Sequence, residues 1–180
     1  MTRLAMTSVL VGAAIIAVRV PCFIAPEKYR EQLLNFPRSK WAGRILMAVV
    51  TLWAGINLYN AATDEWAMWR PLIVTGVPVA YWLIIQYGDQ FLSLRAAAAL
   101  MLLIAKLMVD AADLSDTAWR LVVTVLAYLW VVAAVWMTIA PHHVRDLLGY
   151  AAANHTRLRT VCSIGIAVGV WLLILGWFCY

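Results

Sequence analysis

Three histidines (His142, His143 and His155) and three cysteines (Cys22, Cys162 and Cys179) are the residues here best suited to metal or thiol chemistry. The histidines fall in one stretch between two apolar runs, so none stands inside a run where it could ligate a haem. His142 and His143 are adjacent, and neighbouring helical positions point in different directions, which is poor geometry for a shared metal. The cysteines show no CxxC spacing. Cys22 and Cys162 belong with the base-rich loops and Cys179 with the opposite end, so each is expected as a small packing residue rather than half of a disulfide. GxSxG, HExxH and Gly-rich phosphate loops are all missing, and the acids stand at the edges of apolar runs rather than paired at depth. The chemistry-bearing residues therefore point to a non-catalytic chain that holds no cofactor and binds no nucleic acid.

Charge reappears in one unusual place. Arg95, Lys106, Asp110 and Asp113 are spaced so that all return to one face of a helix. Lys106 stands one turn before Asp110, where the two pair, and with Asp113 they form a candidate polar site at the outer mouth. Two further patterns concern helix geometry. Gly76-Val77-Pro78 predicts a kink in the middle of an apolar run, because proline removes a backbone hydrogen bond and frees the carbonyl of Val74. Gly165 and Gly169, with Gly176 on the same side, form a small-residue seam suited to close helix packing against span five, its own neighbour, or against a second chain.

What positions these residues is set by composition. The chain has 180 residues, 65% of them hydrophobic and 13% charged, against roughly 45–50% and about 25% in a soluble domain. That balance excludes a separate catalytic domain and a disulfide scaffold, and indicates a single all-α polytopic membrane domain over residues 1–180. Apolar stretches predict six spans, at approximately 4–24, 45–62, 71–87, 91–109, 119–140 and 161–177. They are continuous in Leu, Val, Ile and Ala rather than alternating, which disfavours a barrel. The turn Gly88-Asp89-Gln90 joins the third and fourth as a central hairpin.

Between the first two spans and between the last two lie base-rich elbows, 26–44 and 141–159. The ten residues from Ile24 to Leu33 align without a gap on those from Ile139 to Leu148, an offset of 115 that also places Arg44 on Arg159. The expected architecture is two similar helix–elbow–helix units flanking the hairpin. Lys28, Arg30, Arg38, Lys40, Arg44, Arg145, Arg157 and Arg159 make the elbows candidate contacts for anionic phospholipid headgroups. Arg19, at the same end of span one, is expected to snorkel. The opposite loops carry Asp64, Glu65, Asp110, Asp113 and Asp116, with an aromatic belt of Trp66, Trp69, Trp119, Trp177 and Tyr180. The positive-inside bias then puts the elbows in the cytoplasm and both termini outside it, as a multi-pass protein of a cell membrane such as the bacterial inner membrane.

Two functions fit these features. The first is a structural or interaction subunit, docked on other membrane subunits or on itself, in keeping with ten tryptophans and little mass outside the spans. The alternative is a small-solute or ion transporter with its site near the Pro78 kink and the charged face of span four. It lacks the acid or histidine at midplane that a coupled carrier normally uses.

Overall fold

The computed structural model describes residues 2–62, 64–88, 91–115 and 117–179. Asp89 and Gln90 of the short turn, Asp116, the side chains of Asp64 and Glu65, and Tyr180 of the aromatic belt lie outside the described residues.

Helix α1 (Arg3–Arg19) starts at Thr2, whose hydroxyl accepts from the Ala5 N–H at 3.2 Å. That satisfies one of the donors a helix start leaves without an intrahelical partner. After Val20 comes the short α2 (Pro21–Ile24). At Ala25 the backbone leaves the helix, with φ −140° and ψ 72°, because a proline ring disfavours the α conformation in the residue before it. Pro26 opens α3 (Pro26–Asn35), at the first position, where a missing N–H has no intrahelical role. The second elbow repeats the corner: Ala140, φ −128° and ψ 63°, separates α7 (Arg120–Ile139) from α8 (Pro141–Ala152). Side-chain caps then begin the next long helices. Ser39 caps α4 (Lys40–Ala61) by accepting from Ala42, and Asn154 caps α9 (His155–Phe178) by accepting from Thr156. Corner alanines, elbow prolines, capping residues and first residues of the following helices are each 115 positions apart, the same offset as the sequence match.

Between the two elbows lie α5 (Arg70–Tyr87) and α6 (Leu92–Asp113). Among the described residues, six helical stretches are long and apolar enough to cross a membrane: Arg3–Ile24, Lys40–Ala61, Trp66–Tyr87, Leu92–Asp113, Arg120–Ile139 and His155–Phe178. Several reach past the apolar runs. Helix α4 begins at Lys40 rather than Ile45, α9 at His155 rather than Val161, and α6 continues beyond Val109. Hydropathy marks where side chains turn apolar, whereas Ser39 and Asn154 decide where the backbone starts to coil.

Helices α1 and α9 lie antiparallel along much of their length, and α6 packs on α1, α4 and α7. The largest buried cluster forms where α1, α6, α7 and α9 converge, around Leu4, Val11, Met108, Val123 and Leu172. Ala96 and Ala98 are fully buried on the thin side of α6, and Gly43 of α4 comes so close that an added Cβ would fall 2.9 Å from the Ser93 nitrogen. Small residues permit this approach where lipid offers no hydrophobic drive. Helix α5 is different. None of its residues is buried, and among the long helices it packs chiefly on α4. The third and fourth spans are thus not the closely packed hairpin their short connection suggested; both lean on α4.

Candidate functional site

Chemistry-bearing residues concentrate at the elbow end, where α2, α3 and α8 meet the starts of α4, α6 and α9. The elbows are tied to one another by polar contacts. Arg30 Nε donates to the Ala152 carbonyl at 2.7 Å, one of the acceptors that the end of α8 leaves unpaired. His155 Nε2 lies 2.9 Å from Glu27 Oε1. The Ser93 hydroxyl donates to the Phe36 carbonyl at 2.7 Å and fastens the Phe36–Arg38 3-10 turn to α6.

This bracing gathers four of the predicted headgroup cations around one cavity of about 520 Å³. Arg38 comes from the 3-10 turn, Lys40 and Arg44 from the first turns of α4, and Arg145 from α8. Ile85, Gly88, Phe91 and Leu92 close the apolar side. Arg145 pairs with its neighbour Asp146 at 2.9 Å, while the side chains of Arg38, Lys40 and Arg44 make no hydrogen bond or ion pair with another described residue. The remaining headgroup candidates are arranged otherwise. Arg30 is committed to Ala152, Arg157 lies over the Tyr150 ring at 4.4 Å, and Lys28 and Arg159 are exposed away from the cavity. Eight cations that are equivalent in the sequence therefore separate into a converging set and a scattered one.

The first elbow packs on α9 through a thiol cluster. Cys22 and Cys162 are buried together with Leu158, with Tyr29 and Leu33 against them, and both cysteines are free. Cys22 Sγ donates a weak 4.0 Å hydrogen bond to the Leu158 carbonyl. Burial of the Tyr29 phenol, reinforced by the adjacent Cys162 thiol, pushes its pKa up to about 12. Arg19 does more than snorkel. Its Nη1 donates to the Val161 carbonyl at 3.0 Å, and its guanidinium covers Gly165, where a Cβ would stand 2.1 Å from Nε.

The small-residue seam of α9 faces neither α7 nor another chain but α1. A Cβ on Gly169 would lie 2.7 Å from Ile16 Cγ1 and 3.0 Å from the Gly12 carbonyl, and one on Gly176 would lie 2.7 Å from Val9 Cγ2. The complementary Gly12 escaped sequence reasoning; the run Gly12-Ala13-Ala14 in span one is the signal that could have found it. At the opposite end Lys106 and Asp110 do form an ion pair, with side chains 55% and 57% exposed, and Asp113 is exposed on the same helix. A cavity of about 490 Å³ at that end is lined instead by Thr2, Arg3, Ser115 and Thr117 together with Leu4, Ala111 and Leu114. Helix α5 runs through Pro78 without a break; Gly76 has nothing within 4 Å of an added Cβ, and the close approach on that side is made by Gly55 of α4 against Val77. The rings of His142 and His143 lie 4.2 Å apart, so they do not diverge as adjacency suggested: at the first turn of a helix exposed side chains are free to rotate together. No group of three or more potential metal ligands occurs among the described residues.

Comparison with protein-family models, curated proteins and solved structures gives no match. Of the four cavity cations Arg145 is opposed by Asp146, while Arg38, Lys40 and Arg44 have no partner among the described residues.

Proposed function

We propose that this chain is a non-catalytic integral membrane protein that acts as an interaction subunit, presenting the outer face of α5 to other membrane subunits or to a second copy of itself. The observation that carries this reading is the isolation of α5: the span from Trp66 to Tyr87 has 0% of its residues buried. Its outer face includes Leu72, Val79 and Leu83, all well exposed, around the bare backbone at Gly76. A helix with a glycine on its free side admits a neighbouring helix closely, the contact that stabilises association in lipid. The two elbows, matched at an offset of 115, are read as two helix–elbow–helix units with their basic surface toward anionic headgroups in the cytoplasm and both termini outside. The cell membrane, for example a bacterial inner membrane, is the compartment this implies.

The transporter alternative has less behind it. Lys106, Asp110 and Asp113 are on the exposed side of α6, and Pro78 lines an outward-facing groove rather than an internal path. A photo-crosslinker at Val79 tests the reading, combined with native electrophoresis after mild detergent extraction. A discrete adduct to a second polypeptide and a co-migrating assembly are expected; a lone monomer with lipid adducts alone would sink it.

A further inference from the structure

We propose that the α4–α5 side of the molecule holds one anionic phospholipid, its phosphate among Arg38, Lys40, Arg44 and Arg145 and an acyl chain in the apolar groove that continues from that cavity. The groove, about 500 Å³, runs between α4 and α5 past Ala48, Thr51 and Gly55 on one side and Val77, Pro78 and Tyr81 on the other. Its size falls within the roughly 300–1,000 Å³ of small-molecule sites.

The two cavities lie on one face of the helix pair. Arg44 and Ala48 are one turn apart on α4, and Ile85 and Tyr81 one turn apart on α5; the first of each pair lines the basic cavity and the second the groove. The Tyr81 hydroxyl donates to the Arg44 carbonyl at 3.3 Å and marks the junction. Val77 seated against Gly55 closes the floor, so a chain lying there would contact both helices. A polar head at one end and an apolar channel leading away from it is the shape of an amphiphile rather than of a soluble anion.

Charge argues for a phosphate at the head. Three cations without partners among the described residues, with a fourth opposed only by Asp146, repel one another until an anion joins them. Phosphate oxygens accept from guanidinium groups in paired geometry, and lysine adds a point charge. Ordinary positive-inside charge has no reason to converge on one concavity. Arg157 and Lys28, at the same end, do not. This inference rests on the membrane reading of the six helices and is independent of any protein partner at α5.

The full chain, purified in detergent, is titrated with phosphatidylglycerol or phosphatidylcholine of equal chain length and followed by native mass spectrometry. One phosphatidylglycerol is expected to stay bound at a concentration at least about tenfold below that for phosphatidylcholine. Arg38→Gln/Lys40→Gln/Arg44→Gln should abolish that preference, whereas Lys28→Gln/Arg157→Gln/Arg159→Gln, with the same loss of charge, should keep it. Ala48→Trp, which fills the groove, should weaken phosphatidylglycerol while leaving the cations in place. Circular dichroism and thermal melting confirm that each variant is folded. Equal loss in the two triple variants would reduce the effect to general surface charge and overturn the site. Glycerol 3-phosphate competing as well as the intact lipid would overturn the amphiphile assignment in favour of a soluble phosphate.

Discussion

Helices α1 and α9 meet through glycines on both sides, backbone against backbone, with Gly12 and Gly169 facing each other. Helices α4 and α5 also meet at a glycine, but there Gly55 receives the side chain of Val77 on the floor of an open groove, with the basic cavity at the elbow end of the pair. The first pair uses small residues to bring two backbones together; the second uses one to seat a single side chain, and none of the residues of α5 is buried. One contact closes the helices on each other, and the other leaves the open groove in which the lipid is proposed to lie. A glycine in an apolar helix thus carries no meaning until its neighbour is known.

The sharpest way to break this contrast is to put the same side chain into both helices. Gly169→Leu forces a bulky group onto the α1 backbone and is expected to cost several kcal/mol, at or above the roughly 1–3 kcal/mol of core overpacking, read as a large drop in melting temperature in nanodiscs. A mere change of oligomer size with unchanged melting would place the seam between chains instead. A pH titration of unfolding examines the elbow packing between the two regions. The folded Tyr29 phenol holds its proton up to about pH 12 against an ordinary 10, so its contribution is fully present below pH 10 and is lost as pH climbs from 10 to 12. Tyr29→Phe should flatten that part of the profile, and an unchanged slope would remove Tyr29 as its source.

Smaller effects sharpen the comparison further. Ser8 on α1 is 1% exposed, and its hydroxyl has no partner among the described residues. Ser8→Ala is therefore expected to stabilise by about 1 kcal/mol in chemical unfolding, and a loss of similar size would reveal a hidden acceptor. Gly76→Leu, the counterpart of the seam variant, should change stability by less than about 1 kcal/mol, on the favourable side for a helix. It should dissociate any assembly docked on α5, and intact complexes would exclude that face. His155→Ala removes an exposed contact to Glu27 and should cost no more than about 1 kcal/mol; a larger loss would make this link central to the elbows.

Much of this could be read in advance. The six long apolar helices were legible because about 20 residues of unbroken hydrophobicity leave few other readings. Prolines 26 and 141 announced the elbow helices they open. The Lys106–Asp110 pair was legible as well, since it is a contact within one turn of one helix. The site was harder. All four cavity cations were read as candidate headgroup contacts, but nothing distinguished them from Arg30 or Arg157, which are committed elsewhere. Cys22 and Cys162 were placed at one end without any sign that they touch.

Class, span number and the two turning points come straight from residue types in order, because hydropathy, proline sterics and capping act over a few neighbouring positions. Which helix lies beside which is a different kind of question. That Gly169 meets Gly12, that α5 leans on α4 and not on α6, and that Arg145 joins Arg44 are decided by the packing of segments far apart in the chain. Small residues and cations are compatible with many neighbours, and only the folded arrangement selects one.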